Sequence, residues 1–407
     1  MENTSYEDVT PENSSDDSTF SDESSDVLSS KSELEEFEEE KTQNIEWKRY
    51  SRQNKVSFTL PTFTEGPSIN NDLKCLYSPY EFFELYFHED VYNDICELTD
   101  NYYKNKKINH RRKSHHKKWE KPDVITMKCY FGQLLYMGIV RKPSLNHYLS
   151  TSSLFGSSGF SELLSEDHFR DIHSSLQFVD EVVENWDDPL YKVRPLIAHI
   201  IKVSQTYYIP DQNLTIDESM IRFNGRNKMK VFMPLKPIKY GFKAYILAEA
   251  SSGFMLNWTL HDSQKRTLTS IVEELVKPYA NKGFALSMDR FYTSLDVVRY
   301  LTRNNFGIYG AIMKNRVRLA TDMQNEIEKL EKHGALFYTS SDHSMLLTIW
   351  RDSRIDLVSN VGQNTLSVKE RNCKNVSSNI IKKSSLNVLI LFVPIPRLQG
   401  VSIYLTK

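Results

Sequence analysis

The order of hydrophobic patterns along the chain predicts an α/β protein, in which a sheet follows a mainly helical segment and a disordered acidic tail. Three observations predict this. Residues 1–40 hold fifteen Asp or Glu against Lys31 alone, with few large apolar side chains. Residues 78–210 carry apolar side chains mostly at helical spacing. From Leu214 the order becomes strand, hairpin pair, helix, strand, helix, strand. Helices between strands that must pair in parallel make the right-handed crossovers of an α/β sheet.

The tail, residues 1–45, cannot bury enough apolar surface to offset chain entropy, so it is expected to be disordered. It reads either as a solubilising extension or as an acidic competitor for the basic remainder. The net charge of −2 averages these two regions, because fifty basic and thirty-eight acidic residues follow position 40. Cys75, Cys96, Cys129 and Cys373 show no C-x-x-C spacing. That argues against a zinc site or a disulfide framework, and it suits a reducing compartment. The longest apolar run, Val388 to Val393, is far shorter than the ~20 residues of a membrane span. An intracellular protein is expected, with no membrane partner and no small-molecule substrate.

Within the segment 46–210, Ser78 is placed to cap a helix opened by Pro79, Met127 to Ile139 forms a second, and Pro195 starts a third through Tyr207. Between the first two, residues 104–121 hold nine Lys or Arg with Glu120 as the sole acid; Arg111, Arg112 and Lys113 form their centre. Such density reads as phosphate contact or a nuclear-import signal, and otherwise as a solvated loop.

In the segment 211–316, Leu214 to Ile216 reads as the first strand and Asp217 as its end. Lys243 to Ala250 and Phe254 to Leu260 are joined at Ser251-Ser252-Gly253, a hairpin turn. Leu268 to Val276 is an amphipathic helix, Phe284 to Met288 a strand followed by Asp289, and Ser294 caps the next helix. Ile308 to Met313 is the fifth strand. A meander with parallel additions makes strands one and four neighbours, so Asp217 and Asp289 should meet at one edge. Adjacent carboxylates repel unless a cation stands between them, and hard divalent ions such as Mg²⁺ fill that place. Taken singly, each aspartate reads equally well as a turn or cap acid. Between them lie Arg222, Arg226, Lys228, Lys230, Lys236, Lys239 and Lys243, interleaved with Phe223, Phe232 and Tyr240. Cations neutralise phosphates and aromatic rings stack on unpaired bases, so the stretch reads as a DNA-binding face. Residues 317–370 look inserted, with a helix near Asp322 to His333 and strands around Leu336 to Tyr338 and Leu346 to Trp350.

The run Asp217-Glu218-Ser219-Met220-Ile221-Arg222-Phe223-Asn224-Gly225-Arg226, followed by Phe232-Met233-Pro234-Leu235-Lys236-Pro237-Ile238-Lys239-Tyr240-Gly241-Phe242-Lys243, resembles the signature of piggyBac-type transposases. Met288-Asp289-Arg290-Phe291-Tyr292-Thr293-Ser294-Leu295 resembles that family's second-aspartate motif, and Gly310 to Arg316, with Lys314 and Arg316, its following strand and basic turn. Trp350-Arg351-Asp352 and Val358-Ser359-Asn360 resemble its inserted region. The resemblance covers about residues 78–388. It implies an RNase H-like catalytic core with an insertion, preceded by a helical dimerisation and DNA-binding domain, and hence DNA and a second copy as partners. It also implies that Asp217 and Asp289 are the first two metal-binding catalytic aspartates, with Mg²⁺ as cofactor if the site is catalytic, and that the protein acts in the nucleus. The family's third aspartate, in a Gly-Gly-Val-Asp motif, has no counterpart; residues 371–407 contain no acid and diverge after Val388. Asp352, Asp356 and Glu370 are the acids left to substitute. The expectation is therefore a transposase-derived DNA-binding protein without strand-transfer chemistry. The alternatives are an active Mg²⁺-dependent cut-and-paste transposase and a protein-interaction module.

Overall fold

A computed structural model describes residues 45–50, 61–69, 76, 78–109, 119–150, 152, 156–157, 159–180, 188–262, 264, 266–317, 319–332, 334–351 and 355–361. The acidic tail up to residue 44, Arg111, Arg112, Lys113, Asp352, Glu370 and the segment after 361 lie outside the described residues.

Among the described residues, seven helices lie ahead of the central strands: α1 (Pro79–Tyr86), α2 (Glu89–Asn109), α3 (Val124–Ile139), α4 (Leu145–Leu149), α5 (Phe160–Leu163), α6 (Glu166–Ser175) and α7 (Arg194–Tyr207). At α1, Ser78 Oγ accepts from the Glu81 N–H at 3.3 Å while Glu81 Oε2 accepts from the Ser78 N–H at 2.7 Å. This reciprocal capping box satisfies donors that a helix start otherwise leaves unpaired. The long α2 was not expected. Its buried stripe is Tyr92, Ile95, Cys96, Thr99 and Tyr102, which has helical spacing but is diluted by Thr, Cys and tyrosines. Helix α2 therefore takes in the start of the basic segment, where Lys104 pairs with the buried Asp100 at 2.6 Å. The helices close on a core that includes Phe87, Tyr92, Met127, Tyr130, Phe131, Phe169 and Ile172.

The remaining described residues are built on one ten-stranded sheet. Its strands are β1 (Trp47–Arg49), then, after the small pair β2 (Ser68–Ile69) with β3 (Tyr208–Ile209), β4 (Asn213–Arg222), β5 (Val231–Phe232), β6 (Tyr240–Glu249), β7 (Met255–Leu260), β8 (Ala285–Met288), β9 (Gly307–Ile312), β10 (Ala335–Ser340), β11 (Leu346–Arg351) and β12 (Ile355–Val361). The order is β1-β10-β11-β12-β9-β8-β4-β6-β5, with β7 also on β6. Strands β4, β6 and β7 form the antiparallel meander, and β8 and β9 add in parallel. Helix α8 (Leu268–Val276) makes the crossover from β7 to β8 and α9 (Leu295–Arg303) that from β8 to β9. Thr267 and Ser294 cap them, accepting from the Ser270 and Val297 N–H groups at 3.1 and 3.2 Å. Both helices pack on one sheet face, through Ile271, Val272 and Leu275 of α8 and Val298 and Leu301 of α9. On the other face Ile197 and Ile201 of α7 pack against Ala244, Ile246, Ala248 and Trp258. Helix α10 (Thr321–Glu328) and β10 to β12 continue the same sheet, because β12 pairs antiparallel with β9. Among the described residues no helix is long and apolar enough to cross a membrane.

In the helical core, Tyr130 Oη and His173 Nδ1 are 2.9 Å apart, and burial pushes the His173 pKa below its ordinary value, with the Arg170 charge adding to the effect. By linkage, the unfolded chain takes up the proton first, so His173 costs stability as the pH falls below about 6.5. Melting temperatures of wild type and His173→Gln should therefore diverge between pH 7 and pH 5, with the wild type losing more. A difference that stays constant with pH would contradict this.

Candidate metal and nucleic-acid site

Strand β4 lies between antiparallel β6 and parallel β8. The last parallel register pair is Ile216 with Met288, both in the same core. Asp217 and Asp289 come next on each chain, so they leave the paired stretch side by side, on neighbours about 4.8 Å apart. The sequence reading ended the strand at Asp217. Instead β4 runs on to Arg222, because β6 pairs with it all the way to Gly241. Asp217 is thus mid-strand, and what ends there is its pairing with β8. The close approach at the far end needs glycine: a Cβ on Gly241 would lie 2.0 Å from the Ile221 carbonyl oxygen.

Strand alternation splits the acidic pair. Asp217 registers with Ile246, on the face that α7 covers, and its Oδ1 accepts from the Glu218 N–H at 2.8 Å. Burial, and then the neighbouring Glu218 charge, raise its pKa to about 7, against the opposing pull of Lys236. Glu218 registers with Tyr245 on the core face. Its Oε1 is 2.7 Å from Lys236 Nζ, and its Oε2 accepts from Tyr292 Oη at 3.2 Å. Burial acts to raise the Glu218 pKa, but Lys236, then Lys243 and Tyr292, outweigh it and hold the group below the usual carboxylate range. Glu218 is an ionised anchor, and Asp217 is a carboxyl whose deprotonation a neighbouring cation would favour.

Asp289 is exposed, and its Oδ1 accepts from the Arg290 N–H at 2.6 Å. Its carbonyl oxygen accepts from the Tyr292 and Thr293 N–H groups at 3.0 and 3.2 Å and from Thr293 Oγ1 at 2.9 Å. The turn is clamped from outside by Arg316, whose Nη1 donates to the carbonyls of Arg290, Phe291 and Thr293. Arg316 was expected on DNA; its guanidinium instead braces the turn that carries Asp289.

The other expected DNA contacts divide in the same way. Lys243 is 1% exposed, with its Nζ 4.7 Å from the centre of the Phe291 ring, so it is a core cation and not part of a DNA face. The alternation of Lys243 with Tyr245 and Leu247 was the available signal, since both neighbours are core residues. Lys236 is committed to Glu218. Lys230 donates to the Gly225 carbonyl at 2.9 Å and lies 5.9 Å from the Tyr240 ring centre. Arg222 is half-buried, whereas Arg226, Lys228, Lys239 and Lys314 are exposed. Sequence reasoning missed Tyr292, which reaches Glu218 from the turn after Asp289. Among the described residues no three His, Cys, Asp or Glu side chains gather as a metal cluster. Asp356 registers with Trp350 in β12, two strands away from β8.

The family model described as Transposase IS4 matches residues 78–388. The chain belongs to the piggyBac-type transposase family. It is 24% identical over 291 residues to the human PiggyBac transposable element-derived protein 2, covering 68% of this chain and 47% of that one. To the human PiggyBac transposable element-derived protein 3 it is 21% identical over 304 residues, covering 72% and 49%. The chain spans about half the length of the curated relatives it matches. A solved structure, the cryo-EM piggyBac transposase synaptic complex with hairpin DNA, is similar with a TM-score of 0.64 and 19% identity, covering 75% of this chain and 65% of that one. The mixed α/β fold is thus that of a piggyBac transposase.

Gly310 of β9 backs the Asp289 turn. A Cβ there would sit 2.4 Å from Thr293 Oγ1 and displace the hydroxyl that holds the Asp289 carbonyl. Gly310→Ala should lower the melting temperature by a few degrees, consistent with about 1 kcal/mol of strain. Adding Thr293→Ser in the same background should recover part of the loss, because the γ-methyl is also crowded at 3.3 Å. An unchanged melting temperature in Gly310→Ala would show that the turn is not packed as described.

Proposed function

We propose that this piggyBac-type chain is a DNA-binding protein on an RNase H-like core, in which Asp217 and Asp289 hold a divalent cation and strand-transfer chemistry is absent. The observation that carries this reading is the parallel register of Ile216 with Met288, which makes the strands of the two aspartates neighbours. Two carboxylates are a fitting donor set for Mg²⁺, a hard cation that keeps several waters and often takes only one or two protein carboxylates beside a phosphate. When bound, the ion would supply Lewis-acid stabilisation of a phosphodiester. Asp217 and Asp289 would hold it, Glu218 would keep Lys236 beside Asp217, and Arg316 would keep the Asp289 turn in place. Loss of chemistry is supported by the use made of the neighbouring acid, since Glu218 is taken by Lys236 and Tyr292. The solved relative's complex with hairpin DNA favours DNA as the partner, and a homodimer and the nucleus follow as parts of the same reading. The nine Lys or Arg of residues 104–121 would carry nuclear import, so a fluorescent fusion with Arg111, Arg112 and Lys113 changed to alanine should lose nuclear enrichment.

Electrophoretic shift with duplex DNA tests the binding. Affinity should fall steeply with salt, by a slope of about −0.9 per phosphate contacted, and the slope should flatten when Arg226, Lys228 and Lys239 are changed to alanine. No shift even at low salt would remove the reading. Supercoiled plasmid should stay intact in Mg²⁺. Nicking that disappears in Asp217→Asn would instead establish the active transposase.

A further inference from the structure

The β5–β6 hairpin carries large apolar side chains that the fold does not bury. Phe232 is 54% exposed, Tyr240 52% and Leu235 65%. Phe232 and Tyr240 are register partners, and their rings stack with centroids 4.5 Å apart and planes 28° from parallel. The hairpin is ordered by backbone, since the Met233 N–H donates to the Lys239 carbonyl at 2.8 Å. It is also tethered to the acidic strand, because Lys236, in its turn, reaches Glu218 at 2.7 Å, one residue from Asp217.

We propose that the Phe232–Tyr240 pair is a stacking platform for an unpaired nucleotide of DNA, on the hairpin that Lys236 tethers to β4. This rests on the DNA-binding reading above and adds the form of DNA that is recognised. Bases in a duplex have their faces covered by neighbours, so only an unpaired or extruded base presents a face to a protein ring. Aromatic side chains in a basic groove are what such a base requires: ring stacking is tolerant of sequence, and cations track the backbone. The hairpin supplies both. Lys230 lies 5.9 Å from the Tyr240 ring centre, and Arg226, Lys228 and Lys239 are exposed around the hairpin. That charge selects a polyanion over an apolar protein surface, which would offer those cations no counter-charge across the interface. The tether through Lys236 and Glu218 ties the hairpin to β4, the strand that carries Asp217.

Fluorescence anisotropy with the full chain, using a labelled oligothymidylate and a labelled duplex of equal length, tests this. Phe232→Ala and Tyr240→Ala should each weaken oligothymidylate binding about tenfold, as loss of one stacked base does, while duplex binding changes less than about twofold. Tyr240→Phe should bind as wild type, which separates loss of the ring from loss of the hairpin. Equal weakening on both DNAs, or no weakening on either, would overturn the proposal while leaving duplex binding by the wild type intact. So would loss of self-association with unchanged DNA affinity, which would make the patch a contact between copies of this chain. Wild-type protein that binds neither DNA would instead remove the DNA-binding reading itself.

Discussion

The parallel pairing of β4 with β8 is the constraint on which the rest of this structure depends. Leu214, Ile216, Leu286 and Met288 share one core, and a slip of one residue would turn that whole set towards the opposite face. The apolar side chains therefore set the register, and the register sets the carboxylates. Parallel strands need a crossover, which α8 supplies with a face made of Leu268, Ile271, Val272, Leu275 and Val276. Two aspartates separated by seventy-two positions become neighbours through packing that involves neither of them.

The ion network behind Asp217 is the second layer. Glu218 joins β4 to the β5–β6 turn through Lys236 and to the loop after Asp289 through Tyr292, with Lys243 beneath it. A buried ion pair contributes little net stability, since desolvation offsets much of the attraction. Its consequence is geometric: it ties three segments that would otherwise be linked only through the sheet. Arg316 does the same from β9's side, through three backbone carbonyls. Cations that look alike in the sequence thus serve two ends, some bracing the site and others facing solvent.

Much of the architecture was legible beforehand. The alternation of strand and helix from Leu214 onward, the capping residues Ser78 and Ser294, and the adjacency of the first and fourth core strands all follow from local pattern and from the handedness of crossovers. Three features were not legible. The extension of β4 through Arg222 depends on pairing with β6, a tertiary effect that overrides the polar character of Asp217-Glu218-Ser219. The stripe of α2 uses Thr99 and Cys96, residues with weak helical preference. The inward turn of Arg316 could not be told from residue type, because a cation in a basic run looks the same whether it meets a backbone carbonyl, a carboxylate or water, whereas the burial of Lys243 was signalled by its alternation with Tyr245 and Leu247. The adjacency of the strands that carry Asp217 and Asp289 could be placed from sequence because backbone topology alone determines it.

Anomalous scattering from crystals of the full chain soaked in Mn²⁺ is the most direct measurement of the central claim. One peak is expected between the carboxylates of Asp217 and Asp289, with the remaining ligands supplied by water. A peak elsewhere, or none while Mn²⁺ saturates the solution, would contradict it.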